Sequence, residues 1–180
     1  MSHYCPNCRA LCEDNLKYCP QCGAAQNQLM AEEQPMKWYK FIIYVQLFAT
    51  AAVNALSGIV ALTGQIYDEE IYFRVSGLRF VDLLYGIALL AVAVYAIAVR
   101  KQLKNFHRNG PAAYIKLLIA ICAVGIVYSV LANVLIMSTS LRQYYQPDYS
   151  SVISSLVTTV FWVIVNKNYF GKRAHLFVNM

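Results

Sequence analysis

The alternation of apolar and polar positions divides the chain into a polar, cysteine-rich head and four long apolar runs. Residues 41–62 form 22 consecutive positions without a charge. A helix rising about 1.5 Å per residue crosses a hydrocarbon core of about 30 Å in that length. Runs at about 80–99, 114–137 and 151–168 predict three more spans. The fourth is the least apolar, with Ser154, Ser155, Thr158 and Thr159 inside it. Lys37, Trp38, Tyr39 and Lys40 stand before the first run as a basic and aromatic anchor. The predicted fold class is an all-α membrane protein, four transmembrane helices in a bundle behind a small N-terminal module. The expected limits are 1–26 for that module, 27–37 for a polar linker and 38–180 for the transmembrane domain.

Polar residues inside the spans fall on stripes. Gln46, Thr50, Asn54 and Gly58 recur every four positions, and so do Gly125, Ser129 and Asn133, with Cys122 nearly in line. Small and hydrogen-bonding side chains on one face favour close helix packing in lipid. The stripe of the first span is therefore expected to meet that of the third, and a substrate path is the sharper alternative. Asp82, near the start of the second span, is expected at the interface and paired with Arg79. Lys116 sits one turn into the third span, where its long stem can snorkel. Asp68, Glu69 and Glu70 read as a solvated turn, and Tyr144, Tyr145 and Tyr149 as an aromatic belt.

The head holds five of the six cysteines, and four of them form Cys5-Pro6-Asn7-Cys8 and Cys19-Pro20-Gln21-Cys22. Two such pairs supply the four thiolates of a tetrahedral Zn²⁺ site, with Zn–S bonds of about 2.3 Å. The expected metal ligands are Cys5, Cys8, Cys19 and Cys22, holding a structural zinc in a ribbon with a short hairpin between its two knuckles. Zinc binding would then supply the folding free energy of a module too small for its own core. Cys12 either packs as a small apolar side chain beside Leu11 and Leu16 or replaces Cys8 as a ligand, and His3 near the terminus reads as solvated. A disulfide framework is the competing thiol chemistry. It would require export, whereas the first apolar run begins near Trp38, behind the head, and does not read as a cleavable signal.

Composition agrees with a membrane chain: 59% of residues are hydrophobic and 13% charged. The net charge of +6 lies beside the apolar runs rather than on the head, where Glu13 and Asp14 offset Arg9 and Lys17, so nucleic acid is not an expected partner. With four spans both termini share one side. That side carries Arg9, Lys17, Lys37 and Lys40, then Arg100, Lys101, Lys104, Arg108 and Lys116, then Lys167, Lys172 and Arg173. The other side has only Arg74, Arg79 and Arg142. The positive-inside bias places both termini in the cytosol, where thiols stay reduced and available to metal.

The segment Tyr4-Cys5-Pro6 … Cys8 and Tyr18-Cys19-Pro20 … Cys22-Gly23 resembles the N-terminal zinc ribbons of bacterial membrane proteins, of the form YCPxC…YCPxCG. Arg9 stands where that form usually has Gly. Residues from about 38 to 178 resemble an uncharacterised bacterial family of small four-span inner-membrane proteins. The resemblance rests on the basic loop before Tyr114-Ile115 and on the ending from Asn168-Tyr169-Phe170 through Lys172-Arg173 to Phe177-Val178. It implies a four-span fold in a bacterial cytoplasmic membrane and carries over no catalytic residue.

Enzyme motifs are missing from the sequence: there is no H-E-x-x-H, no G-x-S-x-G and no phosphate-cradling glycine loop. A site closed by four cysteines leaves no position for reactive water. The expected function is a membrane-anchored interaction or adaptor protein without enzymatic activity. Its partners would be the lipid bilayer, a protein at the ribbon and, compatibly, further copies of itself. A small transporter or channel component and a zinc or redox sensor are the alternatives.

Overall fold

The computed structural model describes residues 2–5, 7–13, 18–23, 36–139 and 149–177. Residues 27–35 of the expected linker 27–37, and Tyr144 and Tyr145 of the proposed aromatic belt, lie outside the described residues. The chain divides into two compact units, Met1–Lys40 and Phe41–Met180.

In the first unit, β1 (Ser2–Tyr4) and β2 (Leu11–Glu13) pair antiparallel, with Ser2 opposite Glu13, His3 opposite Cys12 and Tyr4 opposite Leu11. The hairpin therefore encloses the first knuckle instead of lying between the two. Its turn is the Cys5–Cys8 loop, which reverses the chain within six residues.

The second unit is helical. Four helices are long and apolar enough to cross a membrane: Lys37–Thr63, Leu78–Lys104, Gly110–Met137 and Ser150–Gly171. The first consists of α1 (Lys37–Phe41), a π-helical turn (Ile42–Gln46) and α2 (Leu47–Thr63). In the π turn the Leu47 N–H reaches back to Ile42 O, one residue further than an α-helical bond. Ile43 O there accepts a hydrogen bond from Arg100 Nε at 3.0 Å, and the guanidinium lies 4.1 Å over the Phe48 ring. Gly64, in a left-handed conformation, ends α2.

A short helix, α3 (Glu69–Arg74), occupies the stretch expected to be an irregular loop. Then come α4 (Leu78–Lys104), α5 (Gly110–Met137, with Pro111 in its first turn) and α6 (Ser150–Gly171). All four spans run beyond their apolar runs. Three of them continue through basic or aromatic residues that suit the headgroup region but carry no hydropathy signal, and α5 begins early through Gly110-Pro111-Ala112-Ala113.

Packing follows chain order. Among the described residues α2 lies along α4, α4 along α5 and α5 along α6. The α2–α4 contact is closest at Gly58 and Gly86. A Cβ on Gly86 would stand 2.8 Å from Leu62 Cγ and 2.9 Å from Gly58 O. The first span therefore turns its small-residue face to the second span. It meets the third at a point, where the Tyr114 hydroxyl donates to Gln46 Oε1 at 2.9 Å.

Candidate metal centre

The two C-x-x-C segments fold alike. Arg9 N–H donates to Cys5 O at 2.7 Å, and Gly23 N–H donates to Cys19 O at 2.9 Å. The residue after each second cysteine is left-handed, Arg9 at φ 59° and Gly23 at φ 69°. Glycine adopts that conformation without strain, whereas a side chain costs about 1–2 kcal/mol there. Arg9 thus keeps the knuckle geometry at a local cost. The N–H groups of Cys8 and Asn7 point at Cys5 Sγ, and those of Cys22 and Gln21 point at Cys19 Sγ. In each knuckle the first cysteine is buried and the second exposed.

This repeat brings Cys5, Cys8, Cys19 and Cys22 together, with all four Sγ atoms within 4.8 Å of one another. Sulfurs bound tetrahedrally at about 2.3 Å stand about 3.8 Å apart. Cys5 and Cys22 are 3.7 Å apart, and Cys8 and Cys19 are 3.6 Å apart. The donor set therefore fits a thiophilic metal ion with little movement.

Proton affinities agree with the geometry. The N–H groups of Cys22 and Gln21 bring the Cys19 thiol down to about 6. Cys5 is lowered in the same way by the N–H groups of Cys8 and Asn7. At Cys8 the Ala10 N–H also lowers the thiol. Burial and the sulfurs of Cys22, Cys19 and Cys5 outweigh it and push Cys8 up to about 12. A sulfur beside one that has already ionised holds its proton, so only a bound cation makes four thiolates stable together.

Cys12 does not belong to this tetrahedron. It is 2% exposed, and its Sγ lies 3.5 Å from Cys19 Sγ and 3.6 Å from Ala10 O. Leu11, expected beside it, is exposed, and Leu16 is outside the described residues. The thiol does pack as a small buried side chain, but against Cys5, Cys19 and Ala10 rather than Leu11.

The polar residues of the spans are placed differently from expectation. Asn54 Nδ2 donates to Thr50 O at 2.7 Å, and Asn133 Nδ2 donates to Ser129 O at 2.8 Å, each within its own helix. Cys122, on α5, faces α6, with its Sγ 3.8 Å from Ser155 Oγ. A period of four places residues on one face without saying which helix that face meets. The two stripes do not form the expected joint surface.

Asp82 is fully buried rather than interfacial. It accepts hydrogen bonds from the hydroxyls of Tyr72, on α3, and Tyr128, on α5, the latter at 2.9 Å. Arg79, its expected partner, instead donates to Ala61 O and Leu62 O at the end of α2. Carbonyls in the last turn lack the usual intrahelical donors; Ala61 O takes only a long bond from the Gly64 N–H, at 3.3 Å, and the guanidinium reaches both carbonyls at once. Burial, then the bond to Asp82, raises the Tyr72 hydroxyl to about 12, so it remains a donor. The cluster clasps α3 onto the ends of α4 and α5, where Val75, Leu78, Ala132 and Ile136 form a buried core. The sequence offered no local sign of this, because Tyr128 is 46 residues from Asp82.

The chain matches no protein-family model, no curated protein and no solved structure. Its class therefore rests on its own geometry: four helices able to span a membrane, as in a multi-pass membrane protein, behind four clustered cysteines able to hold a metal ion.

Proposed function

We propose that this is a multi-pass protein of the bacterial cytoplasmic membrane with both termini in the cytosol. In this reading its four-cysteine head holds a structural Zn²⁺ through Cys5, Cys8, Cys19 and Cys22 and acts as an interaction or adaptor module. The observation that carries it is the close spacing of four sulfurs, of which Cys5 and Cys19 each already face two backbone N–H groups. Zinc, when bound, supplies a cross-link between the two knuckles. All four positions are then taken by protein, which favours a structural role over catalysis. Around the sulfurs Tyr4, Leu11 and Tyr18 are exposed. A rigid head with three exposed apolar side chains suits docking to a protein partner.

A transporter reading has less support, since Asn54 and Asn133 spend their amides on carbonyls of their own helices. The test has three parts on the full chain. Metal analysis in detergent should find one zinc per chain in the wild type and none in Cys5→Ser. Reporter fusions to either end should report a cytosolic location. Affinity capture from membranes should lose its partner in Cys19→Ser while the variant still inserts. A zinc-free wild type with paired thiols would overturn the proposal.

A further inference from the structure

The fifth thiol of the head has no assigned role, and its surroundings specify one. We propose that Cys12 is a positioning residue of the metal centre, donating its S–H to the sulfur of the ligand Cys19. The inference rests on the metal reading given above and adds to it which thiolate is held and which can exchange.

Three observations carry it. The Cys12–Cys19 sulfur distance of 3.5 Å is shorter than either close ligand pair, at 3.6 and 3.7 Å. Yet Cys12 stands outside the group of four sulfurs that all lie within 4.8 Å of one another, so it touches Cys19 without joining that group. Its backbone is held opposite His3 in the β1–β2 ladder, which keeps it from sliding into the ligand shell.

The geometry gives the direction of the bond: Cys12 Sγ donates and Cys19 Sγ accepts. A buried S–H needs an acceptor. Cys19 Sγ and Ala10 O are both within reach of it.

Cys19 then receives three donors, the N–H groups of Cys22 and Gln21 and the S–H of Cys12. Each donor withdraws charge from the sulfur and makes it a poorer nucleophile. Cys19 is 2% exposed and Cys5 1% exposed, whereas Cys8 and Cys22 are open to solvent. The centre thus has a fixed edge, Cys5 and Cys19, and an exchangeable edge, Cys8 and Cys22.

The test uses the full chain in detergent, loaded with Co²⁺. Wild type should show the intense sulfur-to-cobalt charge-transfer band of a tetrathiolate. Loss of a donor raises the energy of the sulfur lone pairs, so Cys12→Ala should move part of that band to longer wavelength. Alkylation of Cys19 by iodoacetamide in the zinc-loaded chain should rise about tenfold, a typical effect of losing a support to a metal ligand. Cys12→Ser, whose O–H donates at the same position, should restore both readouts.

A wild-type chain that takes up no cobalt overturns the metal reading and this inference together. A tetrathiolate wild type whose band and Cys19 alkylation are the same in Cys12→Ala overturns the inference alone. Failure of both Cys12 variants to bind cobalt would make Cys12 a packing residue. A tetrathiolate spectrum kept in Cys8→Ser but lost in Cys8→Ser/Cys12→Ser would make it a reserve ligand. Either result replaces the positioning role.

Discussion

The protein gathers acidic groups at two places and satisfies them by different means. In the head, four sulfurs converge; two N–H groups face each of Cys5 and Cys19, and the one from Ala10 at Cys8 is outweighed by burial and the neighbouring sulfurs. In the helical unit, the single carboxylate of Asp82 has both oxygens bonded, by Tyr72 and Tyr128. The sulfur cluster is completed by a cation from outside the chain, whereas the carboxylate is completed by neutral donors from inside it. Shared burial of acidic groups therefore does not make two sites of the same kind. What distinguishes them is whether the local donors suffice.

The largest expected break in this comparison is Cys19→Ser. Zinc binding in small tetrathiolate peptides is worth about 10–16 kcal/mol. Removing the best-supported ligand should abolish metal retention against a chelator, measured as zinc per chain. Acid should act in the same direction. The metal-bound head carries fewer protons than the metal-free head, so affinity falls as pH falls. Cys8, raised to about 12 without a cation, must give up its proton to bind the metal. Chelator at pH 5 should empty the head faster than at pH 7, with far-ultraviolet circular dichroism of the helices unchanged.

Asp82→Ala comes next. It leaves the hydroxyls of Tyr72 and Tyr128 without their acceptor and should destabilise the helical unit by about 3 kcal/mol, read from denaturant unfolding in micelles. Zinc content should not change. Tyr128→Phe removes one donor and leaves the other, and should cost about 1.5 kcal/mol. The smallest effect sharpens the comparison from the head. Arg9→Gly releases a left-handed residue from strain and should stabilise the metal-loaded head by about 1 kcal/mol, seen as slower zinc transfer to a chelator.

The sequence made the spans legible because an uncharged run of 22 residues has few other uses. It did not mark their ends, since Lys101 and Lys104 continue α4 with no apolar signature. The clustering of Cys5, Cys8, Cys19 and Cys22 was legible from spacing, because a C-x-x-C loop already fixes two sulfurs of the four. The place of Cys12 was not, since contact with Cys19 depends on the β1–β2 register. Asp82 was assigned to Arg79 on proximity along one helix. The carbonyls of Ala61 and Leu62, which claim Arg79, come from another. Gly86 carried no sequence signal, although it makes the closest helix contact through Gly58. Periodicity identifies faces, and only the packing of whole helices identifies their partners.

The chain-order packing of the helices has a consequence for biogenesis. A polypeptide delivered to a membrane from its N-terminus releases α2 first, then α4, α5 and α6. Each of these finds its main neighbour in the helix made just before it. No span has to wait, unpaired, for one still inside the ribosome. A bond between the first and third spans, from Tyr114 to Gln46, closes as soon as the third span begins to emerge.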